Sequence, residues 1–346
     1  MADRLREIAA FANLLQAWRV LQKRLPAEAR GAFAWRLEDY LLDLGDALAA
    51  GTYIPYAAPA GYHPTDSGKK IPVPRLKDRL VLLALQQTLQ PRAERFFIYD
   101  TYAGLPGRGV HRAVERAMAF QRRVAPPHQP QSGWLLKADI QHFYPSLRHT
   151  ILLDICQRRF RDADLTALLA RYLAVWGGWL ETPGVGIPLG SSVSCLLANL
   201  YLDPFDHWVK DDLGWKCYLR YADDMLFLHR EQDALTELQP RLAARLAEAF
   251  ALALNDRKTE VRRTGSGVDF LGYRLFYHHR LLRRKNMGKA RRRLERLARA
   301  YAAGKVDAAD IRRRLVGWLG YARFADTYNF RRRLFAGFRL RRGAAG

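Results

Sequence analysis

Two aspartates stand side by side, Asp223 and Asp224, inside the run Tyr221-Ala222-Asp223-Asp224. Short apolar segments flank them, Tyr218 to Tyr221 and Met225 to Leu228, so the pair reads as the tip of a tight hairpin. Like charges placed this closely repel each other, and a turn can be built from less costly residues. A divalent cation removes the difficulty, because Mg²⁺ takes oxygen ligands and is commonly held by one or two carboxylates together with phosphate oxygens. A third acid is available from another strand. Asp139 closes the apolar run Leu135-Leu136-Lys137-Ala138-Asp139, and the backbone carbonyl of Ile140 offers one more oxygen. Two such ions about 4 Å apart can lower the charge on an attacking hydroxyl and on a leaving pyrophosphate. By itself an Asp-Asp pair in a turn is most often a solvated turn, so the surrounding elements have to decide.

Those elements alternate in type along the chain. Residues 5 to 50 read as helices, with Leu14, Leu15, Trp18 and Leu21, then Leu37, Leu41, Leu44 and Leu48, recurring at helical spacing. A turn-rich stretch with Pro55, Pro59, Gly61, Pro64 and Gly68 leads into the basic run Lys69, Lys70, Arg75, Lys77 and Arg79, followed by an apolar helix from Leu80 to Leu89. Helices are expected around 150 to 175. After the Gly/Pro loop Pro183 to Gly190, Ser191 or Ser192 is placed to cap a helix whose stripe is Val193, Leu196, Leu197 and Leu200. An amphipathic helix at about 232 to 252 precedes a second hairpin, with Gly265-Ser266-Gly267 as its turn and Val268 to Phe276 as one arm.

Charge points to a polyanionic partner. The formal net charge is +23, and residues 280 to 346 hold 21 Lys/Arg against 4 Asp/Glu, so the excess is concentrated in one helical segment. Cys156, Cys195 and Cys217 lack CxxC spacing and read as reduced thiols rather than a zinc or disulfide framework. The N-terminus lacks a basic-then-apolar signal layout, and no stretch approaches about 18 uninterrupted apolar residues. The expectation is a soluble, cytoplasmic protein without a membrane partner.

Taken together, these motifs resemble those of the reverse transcriptases. Tyr221-Ala222-Asp223-Asp224 is similar to their YxDD box, and Lys137-Ala138-Asp139-Ile140-Gln141-His142-Phe143-Tyr144-Pro145 to their first catalytic motif. The loop Gly186-Ile187-Pro188-Leu189-Gly190-Ser191, the segment Leu254-Asn255-Asp256-Arg257-Lys258-Thr259 and Phe270-Leu271-Gly272-Tyr273 follow in the family's order, and the likeness runs over roughly residues 50 to 335. The resemblance implies an α+β, right-hand polymerase fold. Its parts would be an N-terminal helical layer at 1–50, fingers at 51–133, a palm with an antiparallel sheet at 134–279 (with part of the fingers at 148–182) and a basic helical thumb at 280–346. It further implies an RNA template, a DNA primer, deoxynucleoside triphosphates and two Mg²⁺ ions, or Mn²⁺, held by Asp139, Ile140, Asp223 and Asp224.

Further roles follow residue by residue from the same resemblance. Tyr144 would exclude a ribose 2′-hydroxyl, and Lys258 would protonate the leaving pyrophosphate. Lys69, Lys70, Arg75 and Arg79 match the basic fingers motif that receives triphosphate or template, and Lys69, Lys70 and Arg79, with Leu189 and Gly190, are assigned to the incoming nucleotide. Tyr221, Phe270, Leu271, Gly272 and Tyr273 would hold the primer end, while Arg283, Arg284, Lys289 and Arg292 would contact primer and template through phosphates. Within the family the chain looks most like the reverse transcriptases of diversity-generating retroelements, near the group II intron lineage. That branch carries an aliphatic residue where Leu189 stands, copies adenines with low fidelity and works with a small basic accessory protein. Where that branch has Ser-Gln, this chain has Ser194-Cys195. An antiphage-defence enzyme templated by a structured noncoding RNA, and a maturase-like RNA-binding scaffold, are the alternative readings.

Overall fold

The computed structural model describes residues 4–341 apart from 65–67, 69 and 190. Lys69 and Gly190, both read as nucleotide-binding, therefore lie outside the described residues. The chain opens with helices α1 (Arg4–Ala9), α2 (Phe11–Leu21), α3 (Ala27–Ala34) and α4 (Leu37–Ala49), then strands β1 (Gly61–Pro64) and β2 (Lys70–Val73). Helices α5 (Leu76–Ala93) and α6 (Val110–Val124) precede β3 (Trp134–Asp139). Four helices follow: α7 (Phe143–Ser146), α8 (His149–Phe160), α9 (Ala163–Trp179) and α10 (Ser192–His207). Next come β4 (Tyr218–Tyr221), β5 (Asp224–His229), α11 (Gln232–Phe250) and β6 (Glu260–Arg263). Three short strands, β7 (Val268–Phe270), β8 (Tyr273–Leu275) and β9 (Arg280–Leu282), lead into α12 (Arg284–Ala302), α13 (Ala308–Arg323) and α14 (Tyr328–Ala336). Among the described residues no helix is long and apolar enough to cross a membrane.

The chain forms two compact units. The first comprises the described residues of Met1–Gly109, Lys137–Leu226 and Glu237–Glu260. Its helices obey the spacing read from sequence: Leu14, Trp18 and Leu21 of α2 and Leu41, Leu44 and Leu48 of α4 are buried. Each fully buried leucine contributes roughly 1.5–3 kcal/mol against exposure, so this stripe is what holds short helices that would be marginal alone. Helix α5 is longer than its sequence signal, because the polar residues Asp78 and Gln90 at its two ends are buried with partners. Asp78 accepts from the Tyr53 hydroxyl at 2.7 Å and the Tyr56 amide at 3.3 Å, which ties the preceding loop to the helix.

The second unit comprises Val110–Leu136, Phe227–Thr236 and the described residues of Val261–Gly346. Its three-stranded sheet has the order β7-β8-β9 and is antiparallel, with Val268 opposite Leu275 and Phe270 opposite Tyr273. Here one sequence expectation fails. Residues Thr264–Ser266 form a short 3₁₀ turn between β6 and β7, which belong to different sheets, so Gly265-Ser266-Gly267 is not a hairpin turn. The hairpin closes instead at Leu271-Gly272, splitting the supposed single arm into β7 and β8. Both turn residues have positive φ, 46° and 90°, and a leucine in the left-handed region hid the turn inside an apolar run. A second expectation is half met. Ser191 does occupy the position before α10, but its side chain makes no capping hydrogen bond.

The remaining sheets are the antiparallel pair β1–β2, which lies within the turn-rich stretch, and a four-stranded sheet of order β4-β5-β3-β6. Its two central strands, β5 and β3, carry Asp224 and Asp139, and Asp223 lies in the turn just before β5.

Candidate active site

Strand β3 delivers Asp139 at its end, buried to 5% exposure. Beyond the strand the backbone continues to pair: the Ile140 amide donates to the Asp223 carbonyl at 3.2 Å, and the Asn255 amide donates to the Asp139 carbonyl at 2.7 Å. Asp139 is thus clamped between the β4–β5 turn and the segment that follows α11. That turn consists of Ala222 and Asp223, and Ala222 has φ of 54°, a conformation that costs a non-glycine residue.

The strain is met from below by a group that sequence reading missed. Arg220 is completely buried, and its guanidinium donates to the Ala222 carbonyl at 3.2 Å, to Asn199 at 3.1 Å and to the Asp206 carboxylate at 2.6–3.0 Å. Asp206 also accepts from the hydroxyls of Tyr218, at 2.6 Å, and Thr101, at 2.9 Å. A charged residue inside the otherwise apolar Tyr218-Leu219-Arg220-Tyr221 was the available signal. Strand alternation puts Tyr218 and Arg220 on one face, where both reach Asp206.

Above the turn the electrostatics are different. Burial, followed by repulsion from Asp224 and Asp139, raises the Asp223 carboxyl to about 6, against stabilising hydrogen bonding from its own backbone. Burial also raises Asp224, opposed by Lys137, whose ammonium lies 3.5 Å from it. Lys258 grips both oxygens of Asp139, at 2.8 and 2.9 Å, and that bond raises its own pKa. Three acids therefore share two lysines. Among the described residues, no three acidic, histidine or cysteine side chains are gathered closely enough to hold a metal ion by themselves. The donor set nonetheless suits hard divalent cations: it is all oxygen, in excess of its own countercharge, and open to further oxygen ligands on one side.

The open side is a cleft of about 810 Å³ lined by Asp139, Ile140, Tyr144, Leu189, Asp223 and Lys258, among others. Six residues named from sequence thus meet on one surface. Tyr144 is half-buried there, and burial, the nearby Cys195 and Asp223 all push its hydroxyl pKa upward. Tyr221 is half-buried next to the turn, and Leu189 stands at the lip with 39% exposure. Lys70 is exposed on β2, and Arg79 lines a separate cavity of the same unit.

In the second unit Phe270 and Tyr273 are fully buried, so their side chains serve the core there. The Tyr273 hydroxyl donates to the Tyr321 carbonyl at 2.9 Å. Leu271 and Gly272 form the accessible turn, and the Gly272 carbonyl accepts from Asn286 at 3.0 Å and from the Tyr321 hydroxyl at 3.1 Å. Arg283 pairs with Asp269 at 3.2 Å, while Arg284, Lys289 and Arg292 are exposed on α12.

Residues 65–275, more than half of the chain, match the family model described as reverse transcriptase (RNA-dependent DNA polymerase). The chain belongs to the reverse transcriptase family. Its mixed helical and sheet architecture is that of a right-hand polymerase. Among curated relatives, Protein YkfC of Escherichia coli K12 is 28% identical over 69% of this chain and 72% of its own length. The retron Ec83 reverse transcriptase of Escherichia coli is 24% identical over 56% of this chain and 63% of its own length. The group II intron-encoded protein LtrA of Lactococcus lactis is 24% identical over 50% of this chain, which spans only 28% of that longer protein. Of solved structures, an apo telomerase from Candida tropicalis lacking its C-terminal domain is similar with a TM-score of 0.49 and 12% identity, covering 66% of this chain and 56% of that one.

Proposed function

We propose that this reverse transcriptase extends a DNA 3′-end with deoxynucleoside triphosphates on an RNA template, at the cleft lined by Asp139 and Asp223 with Asp224 next to them in the chain. The single observation that carries the reading is the clamp joining the end of β3 to the β4–β5 turn, which brings the buried Asp139 into mutual repulsion with the half-buried Asp223 and Asp224, more than 80 residues away in the chain. Asp139, Asp223 and Asp224, with the Ile140 carbonyl, would hold Mg²⁺ or Mn²⁺. When bound, such ions neutralise charge on the primer hydroxyl and on the pyrophosphate that leaves.

The chain's own groups supply the remainder. Lys258 begins on Asp139, in position to give a proton to the departing pyrophosphate once the carboxylate has another cation. Tyr144 occupies the cleft wall, where its ring would collide with a ribose 2′-hydroxyl and so favour deoxynucleotides. The first unit would act as fingers and palm, and the exposed arginines and lysines of α12 as a thumb that grips phosphates regardless of sequence. Replacing Asp223 by Ala is expected to abolish primer extension on an RNA template while leaving RNA binding near wild type. Normal extension by this variant would remove the site.

For the biological role we favour low-fidelity copying of a structured RNA in a diversity-generating retroelement, with a small basic accessory protein. Leu189 is the observation behind this: at the lip of the cleft it can pack but cannot hydrogen-bond a nucleotide. Leu189→Gln is expected to lower errors opposite template adenines in sequenced cDNA, and unchanged errors would take Leu189 out of the account. The alternative readings are an antiphage-defence enzyme templated by a noncoding RNA and a maturase-like RNA-binding scaffold; the chain's relatives include a retron reverse transcriptase and a group II intron-encoded protein. The RNA that copurifies with the protein separates the three.

A further inference from the structure

Lys137 stands inside the apolar run Leu135-Leu136-Lys137-Ala138-Asp139, and the reaction as proposed gives it no task. Strand alternation puts it on the same face of β3 as Asp139, two residues on. Because β5 lies beside β3, Asp224 at the start of β5 comes within reach, and the Lys137 ammonium stands 3.5 Å from its carboxylate. Both side chains are largely out of water, 17% exposed for Lys137 and 25% for Asp224. Such an enclosed ion pair adds little to stability, since well-packed apolar residues commonly serve a fold as well. A lysine in this position therefore points to the chemistry of Asp224 rather than to the core.

Lys258 supplies the contrast. It approaches Asp139 at 2.8 Å, but its side chain is 56% exposed, so it can turn to a phosphate when one arrives. Lys137 is enclosed beside its carboxylate and stays there. The charges of Asp139, Asp223 and Asp224 with those of Lys137 and Lys258 leave a surplus of one negative charge, which a single divalent ion more than cancels. Take Lys137 away and the surplus doubles, so the pull on a cation grows. We infer that Lys137 is a fixed countercharge that keeps Asp224 a weak ligand for divalent ions until a triphosphate brings further negative charge to the cleft. The inference rests on the polymerase reading and adds one positioning residue to it, a lysine that acts through Asp224.

The test is Mn²⁺ binding to the full chain at neutral pH without nucleotide, read from the electron paramagnetic resonance signal of free Mn²⁺. Lys137→Met should bind Mn²⁺ at least about tenfold more tightly than wild type, the scale on which one neighbouring charge shifts a carboxylate's equilibrium. Lys137→Arg keeps the charge and should stay near wild type. With Asp224→Asn already in place, Lys137→Met should change the affinity less than about twofold, because the group it acts through is gone. A lysine that merely neutralised Asp224 for folding would give the opposite sign, since its loss would disorder the carboxylate and weaken Mn²⁺ binding. Lys137→Gln is the second neutral variant. Unchanged or weaker binding in both neutral variants would overturn the inference, as would tightening that persists beside Asp224→Asn. So would failure of both neutral variants to melt cooperatively, which would make Lys137 a residue of the fold. Wild-type protein that extends no DNA primer on an RNA template in Mg²⁺ would instead sink the polymerase reading itself.

Discussion

The β4–β5 hairpin separates two acidic centres that solve the same problem in opposite ways. Beneath the turn Asp206 is fully buried and its carboxylate is satisfied by Arg220, Tyr218 and Thr101. At the tip Asp139, Asp223 and Asp224 are held close together, facing the ammonium groups of Lys137 and Lys258 and, at Asp139, the Asn255 amide. A buried charge that is paired and hydrogen-bonded on every side is a fixed part of the scaffold, whereas acids left with surplus charge form a receptor for cations. The lower centre also holds the Ala222 carbonyl from which the upper one is suspended. Rigidity below is therefore the condition for unsatisfied charge above.

This contrast can be broken from either side. The largest effect is expected from Asp139→Asn, which should reduce primer extension by on the order of 10³-fold or more, since removing a group that organises transition-state charge typically has that scale. A single-turnover extension assay reads it, and the variant's melting temperature should stay close to wild type. Next comes the lower centre. Arg220→Met or Asp206→Ala leaves its partner buried and unpaired, so either should destabilise the first unit by about 3–5 kcal/mol in denaturant titration, with activity lost through unfolding. A small stability change there would mean the cluster is not the support described.

Lys258→Met should slow extension by roughly 10²-fold with little change in template affinity, as expected for loss of a proton donor. An effect confined to KM would make it a binding residue instead. The smallest effect carries the most information about sign. In metal-free buffer at neutral pH, Asp223→Asn should raise the melting temperature slightly, because it removes a carboxylate repelled by Asp224 and Asp139. A fall comparable to that of Asp206→Ala would show the two centres to be alike.

Much of the site was legible before any fold was known. Adjacent acids between two apolar strands, an acid ending a third strand and a lysine four residues past Leu254 are local patterns, and Asp223, Asp139 and Lys258 line the cleft. The Leu271-Gly272 turn escaped because a leucine at positive φ carries no turn signature, so an apolar run concealed a hairpin. The β1–β2 pair escaped because two four-residue strands among prolines and glycines give no usable periodicity.

The sequence by itself determined which side chains could bind cations, where the apolar stripes of α2, α4 and α10 would lie, and that the chain's basic excess sits in its last third, because each depends only on residue type and near-neighbour spacing. Tertiary structure alone decided that Asp206 and Arg220 would neutralise each other while Asp223 and Asp224 would not. It also put Phe270 and Tyr273 into the core and placed two arginines on one cavity beside Leu189. The physical reason is that burial and charge pairing are set by which distant segments meet, and a carboxylate's character follows from its neighbours in space rather than those in the chain.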